Sequence, residues 1–220
     1  MIFLFSLFGN LWVYRIFSFS FFLGVLVLVS AFWLTKNLKL FVLILPLLIF
    51  FQVSTTQRTP LSQIGNDDRR LIDLRLRAYP QKFLRIGHWL EERKESVVSN
   101  RVAQNFFEDL DPNLYFFANS PRPRVGIREF EKFPYILLPV FFLGVLKLVA
   151  KKSFWFWFFS FFIPLVTLSL IGNKNSLGSL LIFPFFVSAI YEGLLNIKIN
   201  WLKIIVFVLV FIQIISYEIH

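Results

Sequence analysis

The sequence of 220 residues contains no cysteine, only two histidines and only 16% charged residues. Without cysteine the chain can form neither a disulfide framework nor a thiolate zinc site, and the sequence says nothing about the redox compartment. It also contains no glycine-rich phosphate loop, no nucleophile elbow and no histidine-rich metal motif. No cofactor is therefore indicated by a motif.

Apolar side chains are present in large excess. Hydrophobic residues make up 57% of the chain, aromatic residues 20%, and phenylalanine alone occupies 31 positions. Soluble domains average about 45–50% apolar and about 25% charged residues. A soluble globule of this size has too little interior to bury so many apolar side chains, and large exposed apolar patches aggregate. The composition predicts an all-α integral membrane protein and excludes a soluble enzyme, a disordered chain and a nucleic-acid binder.

The charges are concentrated in one segment. Residues 54–133 hold 14 of the 23 basic and 11 of the 13 acidic side chains. The pattern predicts an N-terminal membrane block (1–53), a polar insert of about 80 residues (54–133) and a C-terminal membrane block (134–220).

About 20 apolar residues in a helix cross a bilayer. The apolar runs predict about six spans, two before the insert and four after it, at residues 16–34, 38–53, 133–150, 153–172, 177–195 and 201–217. The first 14 residues form an apolar segment that is either interfacial or the remnant of another span.

The lysines of the short loops predict the orientation. If the insert lies outside the cytoplasm, seven lysines fall in cytoplasmic loops, whereas the short outer segments hold only Arg15 and Lys174. The positive-inside rule favours this placement, and the net charge of +10 is assigned to topology and to contact with anionic lipid. We therefore expect an integral protein of the plasma membrane with its insert and both termini outside.

Apolar residues recur at spacings of three and four along the insert, which predicts helices over residues 69–79 and 81–110, separated by Pro80. These helices are expected to form a small cap on the membrane surface.

Two adjacent carboxylates, Asp67 and Asp68, follow the second predicted span. One of them could act as a general base, or the pair could hold a divalent cation at the interface. The alternative is a helix N-terminus, where acidic side chains interact favourably with the helix dipole.

Two groups of arginines are candidates for binding phosphate. Arg69 and Arg70 begin a basic helix, and Arg122 and Arg124 stand in a stiff Pro-Arg-Pro-Arg segment. The alternatives are a solvated helix face on anionic headgroups for the first pair and a restricted path back to the third span for the second.

The order of features from residue 106 onward carries a family resemblance. The segment 106–117, with an Asp-Pro turn and then an apolar stretch, is followed by a Pro-Arg segment at 121–126, a span with Pro139 and Gly144, and a polar loop at 173–180 before Phe183 and Pro184. Over residues 67–195 this order resembles the later part of bacterial GT-C membrane glycosyltransferases, the family 39-like enzymes that use polyprenyl-phosphate sugars.

The resemblance implies a lipid-linked sugar donor at the outer face. Members of that family place a catalytic acid in the first outer loop, and this chain has no acidic residue before Asp67. By resemblance, either Asp67 or Asp68 takes that role in a reduced architecture, or the chain corresponds to a C-terminal portion without the catalytic end.

Two functions remain open at this stage. One is a glycosyltransferase-related protein that binds the lipid bilayer and a polyprenyl-phosphate sugar. The other is a non-catalytic accessory or truncated membrane protein whose insert binds lipid headgroups or a protein partner that the sequence does not identify.

Overall fold

The computed structural model describes residues 1–57, 66–91, 93–119, 129–172 and 175–219. Within these ranges the secondary structure is helical, with no β-strand. This agrees with the all-α fold predicted from the sequence.

Twelve α-helices and two short 3-10 segments, Gln81–Phe83 and Leu180–Ile182, make up the described part of the chain. The helices are α1 (Ile2–Phe8), α2 (Leu11–Phe19), α3 (Phe21–Lys36), α4 (Leu38–Thr55), α5 (Asn66–Arg77), α6 (Leu84–Glu91), α7 (Lys94–Leu110), α8 (Asn113–Phe116), α9 (Leu137–Val149), α10 (Phe154–Ile171), α11 (Phe183–Asn196) and α12 (Asn200–Ile219).

Helix α11 lies at the centre of the bundle, where it packs against α9, α3 and α1. Its approach to α9 depends on two glycines. A Cβ on Gly144 would lie 1.7 Å from the carbonyl oxygen of Ala189, and a Cβ on Gly193 would lie 2.0 Å from that of Val140. Small residues let apolar helices pack backbone to backbone, so these positions set the spacing of the central pair.

The N-terminal region is a bent helix pair. Helices α1 and α2 meet at 59° around Gly9 and Asn10. The Asn10 side chain is buried; its Nδ2 donates to the Leu7 carbonyl at 2.8 Å and its Oδ1 accepts from the Val13 amide at 2.9 Å. The amide thus satisfies backbone groups on both sides of the bend.

The continuous helix expected over residues 16–34 is interrupted. Ser20 has an extended backbone, ends α2 and begins α3 by accepting the Leu23 amide on its Oγ. The ring of Phe17 then lies over Gly24, where a Cβ would be 2.7 Å from the ring. Serine favours the N-cap because its hydroxyl replaces a missing helical acceptor, and an apolar run alone does not reveal such a break.

By length and composition, α10 and the Asn200–Tyr217 part of α12 can each cross a membrane, and the bent α1–α2 pair adds a third crossing if it counts as one span. Helices α3, α4, α9 and α11 are apolar but shorter. The described residues therefore support two or three full-length spans, and the count of six stays a prediction.

The polar insert contains α5, α6 and α7, with α8 immediately after them. The helix expected over 81–110 is divided into a 3-10 turn, α6 and α7. Helix α7 packs along α10, with the Asn105 Nδ2 donating to the Ser169 carbonyl at 3.1 Å and the Phe106 ring 6.3 Å from that of Phe162. Helix α7 of the insert thus packs directly against the bundle.

Helix α8 brings the chain back into the apolar core. Leu114, Tyr115 and Phe116 are buried, and the two rings contact Phe186 at 4.4 and 5.9 Å between centroids. The short helix closes one end of the bundle and fixes the polar groups that flank it.

Candidate functional site

A buried lysine marks the end of the bundle that α8 closes. The Lys132 side chain is 1% exposed; its Nζ donates to the Leu114 carbonyl at 3.0 Å and lies 3.6 Å from a carboxylate oxygen of Glu129. The ammonium also lies 5.6 Å from the ring centre of Tyr115 and 5.0 Å from that of Phe130. A buried ammonium is costly unless it is paired, so these contacts hold the charge in place.

The loop before α11 covers this lysine. Gly178 has a φ of +81°, and a Cβ there would be 2.6 Å from the Lys132 Cε and 3.4 Å from the Trp12 ring. The Trp12 indole nitrogen donates to the Leu177 carbonyl, and its backbone amide donates to the Lys132 carbonyl at 3.2 Å. Only glycine combines this backbone conformation with so close a neighbour.

The same loop is bound to the end of α4 by amide side chains. Asn175 donates to the Thr55 hydroxyl at 2.8 Å, and its Oδ1 accepts the Leu177 amide at 2.8 Å. The buried Gln52 donates to the Thr56 hydroxyl at 3.2 Å and to the Gly178 carbonyl at 3.4 Å. We call Gln52, Asp109, Lys132, Asn175 and Ser179 the polar cluster.

Asp109 is the acidic member of the polar cluster. It is 1% exposed, and its Oδ1 accepts the Ser179 hydroxyl at 2.6 Å. Its carbonyl accepts the Tyr115 hydroxyl at 2.9 Å. Because Ser179 directly precedes the helical segment Leu180–Asn196, the carboxylate lies at a helix N-terminus, where the peptide dipoles favour negative charge.

An apolar groove of about 260 Å³ begins at Asp109 and runs between α9, α10 and α11. One end is formed by Asp109, Leu110 and Pro112, and the other by Leu148, Val149 and Phe154 at the turn between α9 and α10. Residues 141–149 of α9 line it, which corresponds to about 12 Å of helix. Among the described residues, the lining apart from Asp109 is aliphatic and aromatic: Phe141, Phe142, Val145, Leu148, Val149, Phe154, Trp157, Phe158, Phe161, Phe185 and Phe186, besides Leu110 and Pro112. A groove with such a lining suits a hydrocarbon chain.

A second carboxylate attaches α12 to the same end of the bundle. Glu131 Oε1 accepts the Tyr135 amide at 3.0 Å and the side-chain amide of Gln213, and its own amide donates to the Tyr217 hydroxyl at 3.4 Å. Burial raises the pKa of the Glu131 carboxyl to about 6, although the bond from Tyr135 opposes the rise.

The opposite end of the bundle carries basic side chains. Lys151 pairs with Glu192 at 2.7 Å, and the Lys36 ammonium lies 5.6 Å from the ring centre of Tyr191. These contacts bring the ends of α3, α9 and α11 together. The two ends of the bundle therefore differ chemically: one has a surface of lysines and the other a buried polar cluster.

Of the residues predicted from the sequence, only Arg69 and Arg70 have described side chains. Asp67 and Asp68 lie in the first turn of α5, but their side chains are outside the described part of the chain. Arg69 and Arg70 are exposed on α5 and line neither end of the groove. Arg122 and Arg124 belong to residues 120–128, which are outside the described ranges.

Sequence reasoning missed the polar cluster, although a signal was present. Gln52 is a lone amide in an apolar run. An isolated polar residue in an apolar helix is expensive to bury, so it tends to contact another such residue. Which residues meet depends on the bundle, and the sequence alone does not reveal it.

No group of three or more His, Cys, Asp or Glu side chains suited to a metal ion occurs among the described residues. The divalent cation predicted at Asp67 and Asp68 is not tested by this, because those side chains are outside the described part of the chain. Searches among protein-family models, curated proteins and solved structures give no match to this chain.

Proposed function

We propose that this chain is a multi-pass membrane protein that binds a polyprenyl-phosphate sugar at the outer face of the plasma membrane. The observation that carries the proposal is the apolar groove between α9, α10 and α11, with a buried carboxylate at one end. The isoprenoid chain occupies the groove, and the headgroup lies at the end formed by Asp109 and Pro112.

The distribution of charge supports the orientation. Lys36, Lys147 and Lys151 lie at helix ends opposite the polar cluster, as expected for the cytoplasmic side. The end with Asp109 then faces outward, together with the insert. Six spans, counting the shorter helices α3, α4, α9 and α11, complete this arrangement.

Chain binding is tested with a photoreactive probe. The full-length protein in nanodiscs is irradiated with polyprenyl phosphate carrying a diazirine on its isoprenoid chain, and the labelled peptides are mapped. Labelling is expected on α9, α10 and α11, and an excess of unmodified polyprenyl phosphate should suppress it. Equal labelling of α12 would indicate only the surrounding lipid and would contradict the proposal.

A substitution that fills the groove provides a second test of chain binding. Val145 lines the groove, so Val145→Trp is expected to weaken binding of polyprenyl phosphate about tenfold or more. Val208→Trp on α12, where Val208 is 52% exposed, adds the same bulk outside the groove and is the matched control. Wild-type affinity in a folded Val145→Trp protein would overturn the proposal.

Binding alone does not distinguish a transferase from a related protein that keeps the binding surface without catalysis. A transferase moves the sugar from the lipid phosphate to an acceptor, whereas a non-catalytic protein leaves the donor intact. Following a radiolabelled sugar after binding distinguishes them. The candidate acids for the first function remain Asp67 and Asp68, with Arg69, Arg70, Arg122 and Arg124 as candidates for the phosphate.

A further inference from the structure

Helix α6 is fixed on α5 and the turn after it by the side that carries Gly87 and Glu91. Gly87 is buried, and a Cβ there would lie 3.0 Å from the Tyr79 ring. One carboxylate oxygen of Glu91 accepts the Tyr79 hydroxyl at 3.2 Å, and the other lies 3.3 Å from a guanidinium nitrogen of Arg75. These contacts determine which side of α6 is turned away from α5.

The side of α6 that is turned away carries large exposed apolar side chains. They are Phe83 (53% exposed), Ile86 (51%), Trp89 (58%) and Leu90 (41%), and we call them the apolar face of α6. Ile86 and Leu90 lie one helical turn apart, and Phe83 and Trp89 each stand three positions from Ile86. Because residues three and four positions apart are neighbours on a helix surface, the four share one side. An exposed apolar patch marks a contact with another protein or with a membrane.

Basic side chains border the apolar face of α6. The exposed ones are Lys82, Arg85 and Arg93. The Arg93 guanidinium lies 3.9 Å from the ring centre of Trp89. Among the described side chains of residues 81–93 the acidic one is Glu91, which is turned toward α5. Apolar and positively charged groups thus lie side by side, as in helices that lie in the headgroup region of a bilayer.

The place of α6 in the chain favours lipid as the occupant of this face. Helix α7 begins at Lys94, just after α6, and Asn105 of α7 donates to the Ser169 carbonyl near the end of α10. The helix between Lys94 and Asn105 is about 17 Å long, so α6 is tethered close to the end of a helix that can cross a membrane. The basic border complements anionic phospholipid headgroups, and tryptophan and phenylalanine suit the boundary with the acyl chains.

We propose that the apolar face of α6 inserts into the headgroup region of the membrane that the bundle crosses, with Lys82, Arg85 and Arg93 on the phosphates of anionic phospholipids. This contact places α6 in the plane of the membrane surface and anchors the polar insert there. The inference goes beyond the proposed function and does not depend on it, because no described residue of α6 lines the apolar groove.

Spin labels test the position of the face, since the chain has no cysteine of its own. The full-length protein with a nitroxide on Ile86→Cys is reconstituted into vesicles of equal parts phosphatidylcholine and phosphatidylglycerol. Collisions of the label with oxygen, which concentrates in lipid, are compared with collisions with a water-soluble nickel chelate. Oxygen should dominate at Ile86→Cys, and also at Phe83→Cys, which gives the answer if Ile86→Cys fails to fold. Ser99→Cys is the matched control: Ser99 is exposed on α7 outside the apolar face, and the chelate should dominate there.

The lipid composition tests the basic border. Replacing Lys82, Arg85 and Arg93 together by glutamine in the Ile86→Cys protein should lower the ratio of oxygen to chelate collisions in these vesicles. In vesicles of phosphatidylcholine alone the same replacement should leave the ratio nearly unchanged, because those headgroups carry no net charge. An equal effect in both kinds of vesicle would overturn the assignment of the three side chains to anionic headgroups.

Dominant collisions with the chelate at both Ile86→Cys and Phe83→Cys would show the face in water and would overturn the inference. Protection from both reagents would show that protein covers the face, which would overturn it equally. Dipolar broadening between labels would then identify a second copy of the chain as the occupant.

Discussion

Replacing Gly144 by alanine is expected to force the central helix pair apart. The added Cβ would lie 1.7 Å from the Ala189 carbonyl oxygen and 2.5 Å from its carbon. A carbon and a carbonyl oxygen normally approach no closer than about 3.3 Å. The backbones of α9 and α11 must therefore separate by about 1.5 Å, since neither obstructing atom is on a side chain that can rotate away.

The loss in free energy of unfolding comes from the packing contacts that this movement weakens. A gap of 0.5–1 Å already removes about a quarter to a half of the attraction between packed atoms. The rings of Phe141 and Phe186, stacked 4.5 Å apart across these helices, lie within the affected interface. Overpacking costs about 1–3 kcal/mol, and alanine gains about 1 kcal/mol in helix propensity, so Gly144→Ala is expected to lower the free energy of unfolding by about 1 kcal/mol, and by about 2 kcal/mol at the upper end of that range.

The assay is unfolding of the detergent-solubilised protein in an increasing mole fraction of dodecyl sulfate, followed by circular dichroism. Leu146→Ala on the same helix, where Leu146 is 67% exposed, is the control and should cost much less. Gly193→Ala should resemble Gly144→Ala, because its Cβ would lie 2.0 Å from the Val140 carbonyl oxygen. The double variant should cost less than the sum of the two, since the first substitution already separates the helices.

Stabilisation of the protein by Gly144→Ala, as helix propensity alone would give, would refute the close approach of α9 and α11. Strict additivity of the two glycine substitutions would refute their action through one shared interface.

The remaining predictions concern pH and orientation. The pKa of Glu131 is raised from 4.5 to about 6 by burial, so the folded state binds its proton more tightly than the unfolded state does. This contribution to the free energy of unfolding, about 1 kcal/mol after allowance for solvent, should be complete below pH 4.5 and lost as the pH rises through about 6. Unfolding in mixed micelles should show this pH dependence in the wild type but not in Glu131→Gln. An identical pH dependence in the two proteins would contradict the prediction. Because the chain has no cysteine, Ser99→Cys and Lys198→Cys each introduce the only thiol. A membrane-impermeant maleimide should label Ser99→Cys in intact cells and Lys198→Cys only after permeabilisation, whereas the reverse pattern would contradict the proposed orientation.

Local pattern explains which predictions succeeded. Long apolar runs such as 153–172 correspond closely to α10, and Pro80 separates α5 from the helical turns that follow, because apolar content and proline act on the few residues around them. The break at Ser20 was missed because serine is acceptable inside an apolar helix as well as at its start. The extended backbone of Ser20, its bond from the Leu23 amide and the packing of Phe17 over Gly24 distinguish the two.

For the candidate site, too, local sequence pattern revealed less than the packing of the helices. The sequence drew attention to exposed charges such as Arg69 and Arg70, which are conspicuous in a list of residues but line no part of the groove. Asp109 is one acid among several before Pro112. It becomes distinctive only when α7 packs along α10 and Ser179 contacts it from a loop 70 positions away.

By itself the sequence determined that this chain is helical and strongly apolar and where its charge is concentrated, since composition and periodicity fix how much surface must avoid water. The tertiary structure alone decided which polar groups meet. Buried Lys132 donates to the Leu114 carbonyl and buried Asp109 accepts the Ser179 hydroxyl, each from a distant segment, and Gly144 and Gly193 allow the backbones of α9 and α11 to touch. Such pairings depend on distances between helices, and those distances are a property of the packed bundle.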